Sequence, residues 1–89
     1  MNKNDVISLK LATGEEVIGR YESENNAYIS LKKPLAFIMG AQGIGLGPFM
    51  ISADKDATIE INKSSMVSIV QAETSIAKQY IKQTTGLML

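Results

Sequence analysis

The sequence predicts a mainly β domain in which five short strands form a small, strongly bent barrel, followed by a C-terminal helix. Three observations predict it. Apolar and polar residues alternate through the first half, a glycine interrupts one alternating segment, and the tail changes to a helical period. The 89 residues are enough for a single domain, 1–89, with a small core that favours association between copies.

Composition narrows the classes of function. The chain has no cysteine and no histidine, which excludes disulfides and thiolate zinc sites and removes the usual general base at neutral pH. We therefore expect no enzyme activity, no metal and no cofactor. Nine basic and nine acidic residues give a formal net charge of zero, which argues against bulk attraction to polyanions. The N-terminus lacks the apolar segment of a signal peptide, so we expect a cytoplasmic protein.

The first half of the chain is predicted to form three strands. Ile7, Leu9 and Leu11 fall on one face of the first, and Val17 and Tyr21 share the inward face of the second. Gly19 lies between those two residues and indicates a sharp bend or a close approach of backbones, as in a small barrel. The predicted strands are residues 6–12, 16–23 and 27–39.

An uncharged stretch at residues 34–53 admits three interpretations: a membrane span, a phosphate-binding loop and a hairpin. Its glycines and two prolines disfavour a spanning helix, and GIGLG lacks the spacing of known phosphate loops. We therefore predict no membrane contact and a long hairpin between the third and fourth strands, with a mobile tip at 40–47. The fourth and fifth strands are predicted at 48–61 and 66–70.

The tail is predicted to form a helix over residues 73–84. Ile76, Tyr80 and Ile81 recur at helical spacing, and polar residues occupy the opposite side. Glu73 suits the start of the helix and Gly86 its end. The final Leu-Met-Leu is expected to fray.

Two motifs resemble those of the Sm-like family, which includes the bacterial host-factor branch. LATGEEVIG, residues 11–19, has the spacing of the first family motif: an apolar residue, two variable residues, Gly, four variable residues, Gly. INKSSMVSIV, residues 61–70, has the spacing of the second and keeps a lysine in its turn. Asn25 stands where the family has Asp, and Asn62-Lys63 replaces Arg-Gly.

The resemblance implies an Sm-like barrel of the SH3 type that assembles into homo-oligomeric rings, the fourth strand of one subunit pairing with the fifth strand of the next. It also implies binding of single-stranded RNA or DNA by two turns, with a role in nucleic-acid processing or regulation. The implied binding residues are Asn25, Asn26, Tyr28, Asn62, Lys63 and Ser64. An aromatic ring stacks on bases, amides read base edges, and lysine meets phosphate.

Four of these residues also have a purely structural interpretation. The two asparagines at 25 and 26 suit a tight turn, Tyr28 suits cross-strand packing, and Lys63 suits a solvated turn. An assembly module that binds no nucleic acid therefore stays open as the alternative function. Three carboxylates are expected to be solvated rather than to hold a cation: Asp54, Asp56 and Glu60.

Overall fold

The structure, a computed structural model, describes residues 1–86 as an antiparallel sheet of six strands with one C-terminal helix. The elements are β1 (Val6–Leu11), β2 (Glu16–Glu24), β3 (Tyr28–Gly40), β4 (Gly43–Pro48), β5 (Thr58–Asn62), a single 3-10 turn (Lys63–Ser65), β6 (Met66–Gln71) and α1 (Thr74–Thr85). The mainly β class and the C-terminal helix are confirmed. The expected fraying of the last three residues concerns positions outside the described range.

The sheet runs in the order β4-β3-β2-β1-β6, and β5 pairs with the first half of β3. The long β3 therefore carries β5 along residues 28–32 and β4 along residues 35–40. Neither of these strands pairs with β6 among the described residues, so the sheet is not closed into the predicted barrel. β5 pairs only with β3, and β6 pairs only with β1. Each of the two strands therefore has one backbone edge that faces away from the sheet and pairs with no other strand among the described residues.

The alternating residues of the first three strands form the core, as predicted. One buried cluster joins β1, β2, β3 and β5: Ile7, Leu9, Leu11, Val17, Ile29, Leu31 and Ile61. Tyr21 packs against this cluster, as its inward position in β2 predicts. Ile18 is also fully buried but lies outside that cluster, because successive side chains in a strand point to opposite faces.

Gly19 marks a close approach between β2 and β3, as its position in the alternating pattern predicts. A β-carbon at this residue would lie 3.3 Å from the α-carbon of Pro34 and 3.2 Å from the β-carbon of Leu31. The register between the strands shifts at this point, where Gly19 faces Lys33 and Pro34. A side chain at this position would need β3 to shift by a few tenths of an ångström, so glycine favours the close approach of the two strands.

The predicted hairpin is present, but its strands differ from the expected ones. The loop is predicted at 40–47, but residues 43–48 form β4 and pair with residues 35–40, leaving Ala41 and Gln42 as the tip. The predicted fourth strand, 48–61, is wrong over residues 49–57, which form turns. There Asp54 Oδ1 accepts a 2.8 Å hydrogen bond from the Asp56 N–H. This local turn bonding competes with a strand.

No helix within residues 1–86 is long and apolar enough to cross a membrane.

The helix spans Thr74–Thr85, one residue later at each end than the predicted 73–84, and Glu73 and Gly86 cap it as the sequence predicts. The Glu73 carboxylate accepts hydrogen bonds from the backbone N–H groups of Ser75 and Ile76, and Gly86 closes the helix with a φ of +76°. This left-handed conformation favours glycine because it has no β-carbon.

Tyr80 is fully buried, and its hydroxyl donates to the carbonyl oxygens of Lys32 (3.1 Å) and Lys33 (2.8 Å). The helix is thereby attached to β3.

We predict that Tyr80→Phe lowers the free energy of unfolding by about 1–3 kcal/mol, because two carbonyl groups lose their donor. Burial also raises the pKa of the Tyr80 hydroxyl to about 12 from 10.0. Since the folded-state pKa lies above the unfolded value, the stability that this hydroxyl contributes is fully present below pH 10 and is lost as the pH rises towards 12. Urea unfolding at neutral and alkaline pH measures both effects.

Tyr28→Phe is the matched control, since it removes the hydroxyl of an exposed tyrosine. We expect it to leave both the stability and its alkaline dependence unchanged. Equal stability of Tyr80→Phe and the wild type would contradict the role given to the buried hydroxyl.

Candidate nucleic-acid interface

The turn between β2 and β3 is held by the side chain of Asn25. Its Oδ1 accepts hydrogen bonds of 2.8 Å from the backbone N–H groups of both Ala27 and Tyr28. The Asn25 N–H in turn donates to the Tyr28 carbonyl oxygen at 2.9 Å. The amide oxygen of Asn25 therefore serves the turn, and its NH₂ group is the part left to meet a ligand.

The turn between β5 and β6 is built in a similar way. Asn62 Oδ1 accepts from the backbone N–H of Ser64 at 3.1 Å and from the Ser64 hydroxyl at 3.0 Å. Asn62 thus caps the 3-10 turn, as a short side chain with an acceptor oxygen does at a helix start. Both asparagines confirm the turn-forming role that their residue type suggests.

The fold brings the two turns together at one end of β3. Tyr28 and Asn62 are direct cross-strand partners in the antiparallel pair of β3 and β5. The Lys63 N–H donates to the Ala27 carbonyl oxygen at 2.8 Å, which ties one turn to the other. The predicted site residues therefore belong to two turns that form one continuous surface, although residues 28 and 62 are distant in sequence.

Lys63 is not a free cation on this surface. Its Nζ lies 2.6 Å from Glu24 Oε2, and both side chains are about one-third exposed to solvent. Glu24 also accepts a hydrogen bond from the Tyr21 hydroxyl at 3.0 Å. The Lys63 ammonium, and to a smaller extent the Tyr21 hydroxyl, lower the pKa of the Glu24 carboxyl. A phosphate that approaches Lys63 must therefore compete with this carboxylate.

Sequence analysis did not identify Glu24 as part of the site. It lies 39 residues from Lys63 along the chain, and nothing in the local sequence indicates their contact. The contact exists because β3 carries the two turns side by side. Glu24 changes the electrostatics of the surface from a cationic spot to a neutral ion pair.

The groups still available for recognition are an aromatic ring and amide donors. Tyr28 is 40% exposed. Asn26 is exposed, and its side chain makes no hydrogen bond within residues 1–86. This set of groups suits stacking on a base and contact with base edges. The two largest cavities of the described residues, each about 700 Å³, are lined by other residues, so this surface is open rather than pocketed.

Two of the three carboxylates considered for a cation have other roles. Asp54 holds the turn before β5, and Asp56 lies 3.5 Å from the Lys33 ammonium. Within residues 1–86, no group of three or more His, Cys, Asp or Glu side chains is placed to hold a metal ion.

We predict that Lys63→Ala raises the pKa of Glu24 towards its ordinary value, because the main cause of the lowered pKa is removed. In the wild type, the lowered folded-state pKa means that the pair contributes stability above the unfolded pKa of Glu24. This stability is lost as the pH falls through the folded pKa. An NMR titration of the Glu24 carboxyl carbon measures the shift. Lys78→Ala, on the exposed face of α1, is the control and should leave the pKa of Glu24 unchanged. An equal pKa of Glu24 in Lys63→Ala and in the wild type would contradict the ion pair.

Comparisons with known proteins assign no family. The chain matches none of the protein-family models with which it was compared, and no curated protein matches it. What the chain does must therefore be argued from its own surfaces.

Proposed function

We propose that the protein is a homo-oligomeric, Sm-like assembly module whose copies associate through the outer edges of β5 and β6. The observation that carries this proposal is the composition of β6. It is an edge strand of sequence MVSIVQ, with no charge and no proline, and Val67 and Val70 are 68% and 62% exposed. Edge strands of monomeric proteins are commonly protected by charge, proline or a bulge. β6 has only a register shift against β1 at Val67, and its residues 68–71 pair regularly beyond that point.

The other end of the sheet offers a matching edge. β5 has five residues and β6 has six, so an antiparallel pair between copies would satisfy both rows of backbone groups. This is the pairing that the resemblance to Sm-like rings implies. An edge that repeats head to tail closes into a ring when the rotation between copies permits.

The hairpin supplies further apolar surface for such contacts. Ile38, Met39 and Ile44 near its tip are each more than half exposed, and Met39 is 80% exposed. Contiguous exposed apolar side chains usually mark an interface. Met39 and Ile44 line one cavity together with Val70 of β6, so the hairpin and the end of β6 border the same apolar surface.

The second part of the proposal is that the paired turns bind single-stranded RNA or DNA. The adjacency of Tyr28 and Asn62, with Tyr28 exposed, supports it, because a base stacked on the ring would lie within reach of the amides of the neighbouring turn. The ion pair between Lys63 and Glu24 acts against it by neutralising the one lysine of the surface. That neutralisation favours the alternative, an assembly module that binds no nucleic acid.

The assembly is tested by mass in solution. We expect light scattering to give a multiple of the 9.6 kDa chain mass, and Val70→Lys to shift the protein towards the monomer, because it places a charge on the proposed contact edge. Ser23→Lys adds the same charge at an exposed position of the interior strand β2 and should keep the oligomer. A wild-type protein that is monomeric at micromolar concentration would end the proposal.

Nucleic-acid binding is tested with a fluorescent U-rich or A-rich oligonucleotide at low salt. We expect Tyr28→Ala to weaken binding by about fivefold to a hundredfold, the range for loss of one base stack. Glu24→Gln should strengthen binding, because it removes the competing carboxylate and frees Lys63. Lys78→Ala removes a lysine from the exposed face of α1 and should leave oligonucleotide binding unchanged. If the wild-type oligomer binds no oligonucleotide, the assembly-only alternative is correct.

A further inference from the structure

Three cationic side chains converge away from the two turns, near the middle of the sheet. Arg20 on β2 and Lys32 on β3 are direct cross-strand partners, and Lys33 follows next in the chain. Together with Asn4 and Asp56, these residues line an open cavity of about 570 Å³. None of these residues belongs to the surface formed by the turns.

The cavity has an excess of positive charge. Three of its lining residues are cations, and Asp56 is the one carboxylate, which leaves a net charge of plus two in a chain whose total is zero. Asp56 lies 3.5 Å from Lys33, and Arg20 Nη1 donates to the Asn4 carbonyl oxygen at 3.3 Å. The Lys32 ammonium has no ion pair or hydrogen bond within residues 1–86.

Placing Arg20 opposite Lys32 is unfavourable for folding alone. Like charges directly across an antiparallel pair repel each other, and both side chains are only partly exposed, so water screens them incompletely. A neutral residue at either position would fold with less repulsion. The arrangement becomes favourable when an anion lies between the two cations.

The backbone at Lys33, where the pairing of β3 changes from β5 to β4, is a second feature of the cluster. Its φ of +52° is in the left-handed region, which residues with a β-carbon seldom adopt. In a regular strand, consecutive side chains point to opposite faces. The irregular backbone here instead lets the adjacent Lys32 and Lys33 line the same cavity. Strained conformations of this kind concentrate at functional sites.

The cluster rests on a rigid support. The buried Tyr80 hydroxyl donates to the carbonyl oxygens of both Lys32 and Lys33, at 3.1 and 2.8 Å. The main chain that carries both lysines is therefore fixed from its buried side by α1. A site whose backbone is already ordered loses less conformational entropy when a ligand binds.

We propose that Arg20, Lys32 and Lys33 form a binding site for a phosphate group. The planar guanidinium of arginine donates two parallel hydrogen bonds to phosphate oxygens, and the ammonium groups of lysine add charge and further donors. A phosphate with a charge near minus two balances the local excess and separates Arg20 from Lys32. The phosphate comes either from a nucleic-acid backbone or from a small phosphorylated molecule.

An NMR titration of the full chain with inorganic phosphate, against chloride at equal ionic strength, tests the site. We expect saturable shifts of the amide signals of Arg20, Lys32 and Lys33. Lys32→Met keeps the aliphatic stem, and we expect it to weaken phosphate binding roughly tenfold, the loss typical of one charged hydrogen bond. Lys78→Met removes the same charge from α1 and should leave the affinity for phosphate unchanged.

Thermal unfolding supplies a second measurement that separates binding from folding. In chloride, Lys32→Met should unfold at the wild-type temperature or above it, since the variant removes a repulsion. Added phosphate should raise the unfolding temperature of the wild type more than that of the variant. Unsaturable shifts in the wild type, or equal phosphate affinity in Lys32→Met, would overturn the proposal.

An oligonucleotide titration of the same variants distinguishes the two sources of phosphate. If Lys32→Met weakens oligonucleotide binding as well as phosphate binding, the nucleic-acid backbone supplies the phosphate. If it weakens phosphate binding alone, the ligand is a small phosphorylated molecule, and the site stands even where the chain binds no nucleic acid.

Discussion

The bend of β3 at Lys33 and Pro34 is the constraint on which the rest of the structure depends. Proline has no N–H, so it cannot donate to a neighbouring strand. The pairing along this edge of β3 accordingly divides there: β5 pairs up to Lys32, and β4 pairs from Leu35 onward. Gly19 gives the bend room on the β2 side, because its lack of a side chain allows Pro34 to approach. One interruption thus creates both the hairpin and the position of β5.

The same bend attaches the helix and gathers positive charge. The carbonyl groups of Lys32 and Lys33 are directed to the buried Tyr80 hydroxyl, while the two lysine side chains line the cavity that contains Arg20. Stability and the proposed phosphate site therefore share one segment of backbone. This connection explains how a chain with a formal net charge of zero has a local site of strongly positive character.

The two turns and the edges of the sheet have a different character. At the turns, the hydrogen-bonding capacity of the asparagine oxygens is used within the fold, and Lys63 is neutralised by Glu24. At β6 and the hairpin, apolar side chains remain exposed and backbone groups face outward. The exposed apolar side chains and unpaired backbone groups of this molecule thus lie at its edges, and they are the ground on which we propose self-association. Both features follow from a small sheet with too little chain to cover itself.

Local sequence patterns predicted the periodic features: the core residues of β1, β2 and β3, the close approach at Gly19, and the helix with Glu73 at its start and Gly86 at its end. These depend on neighbours in the chain, so local patterns contain them. The sequence also identified both turns of the candidate site. It misplaced the strand after the hairpin, because the backbone of a glycine-rich segment can pair with β3 without the side chains that signal a strand.

The contacts between charged side chains and the positions of the unpaired sheet edges became visible only in the folded chain. The pairing of Glu24 with Lys63, the convergence of Arg20 with Lys32 and Lys33, and the open edges of β5 and β6 all depend on contacts between segments distant in sequence. The sequence analysis expected a closed barrel, but the order of strands leaves its ends unpaired within one chain. Electrostatic interactions fall off with distance in space rather than along the chain, so no local pattern reveals them.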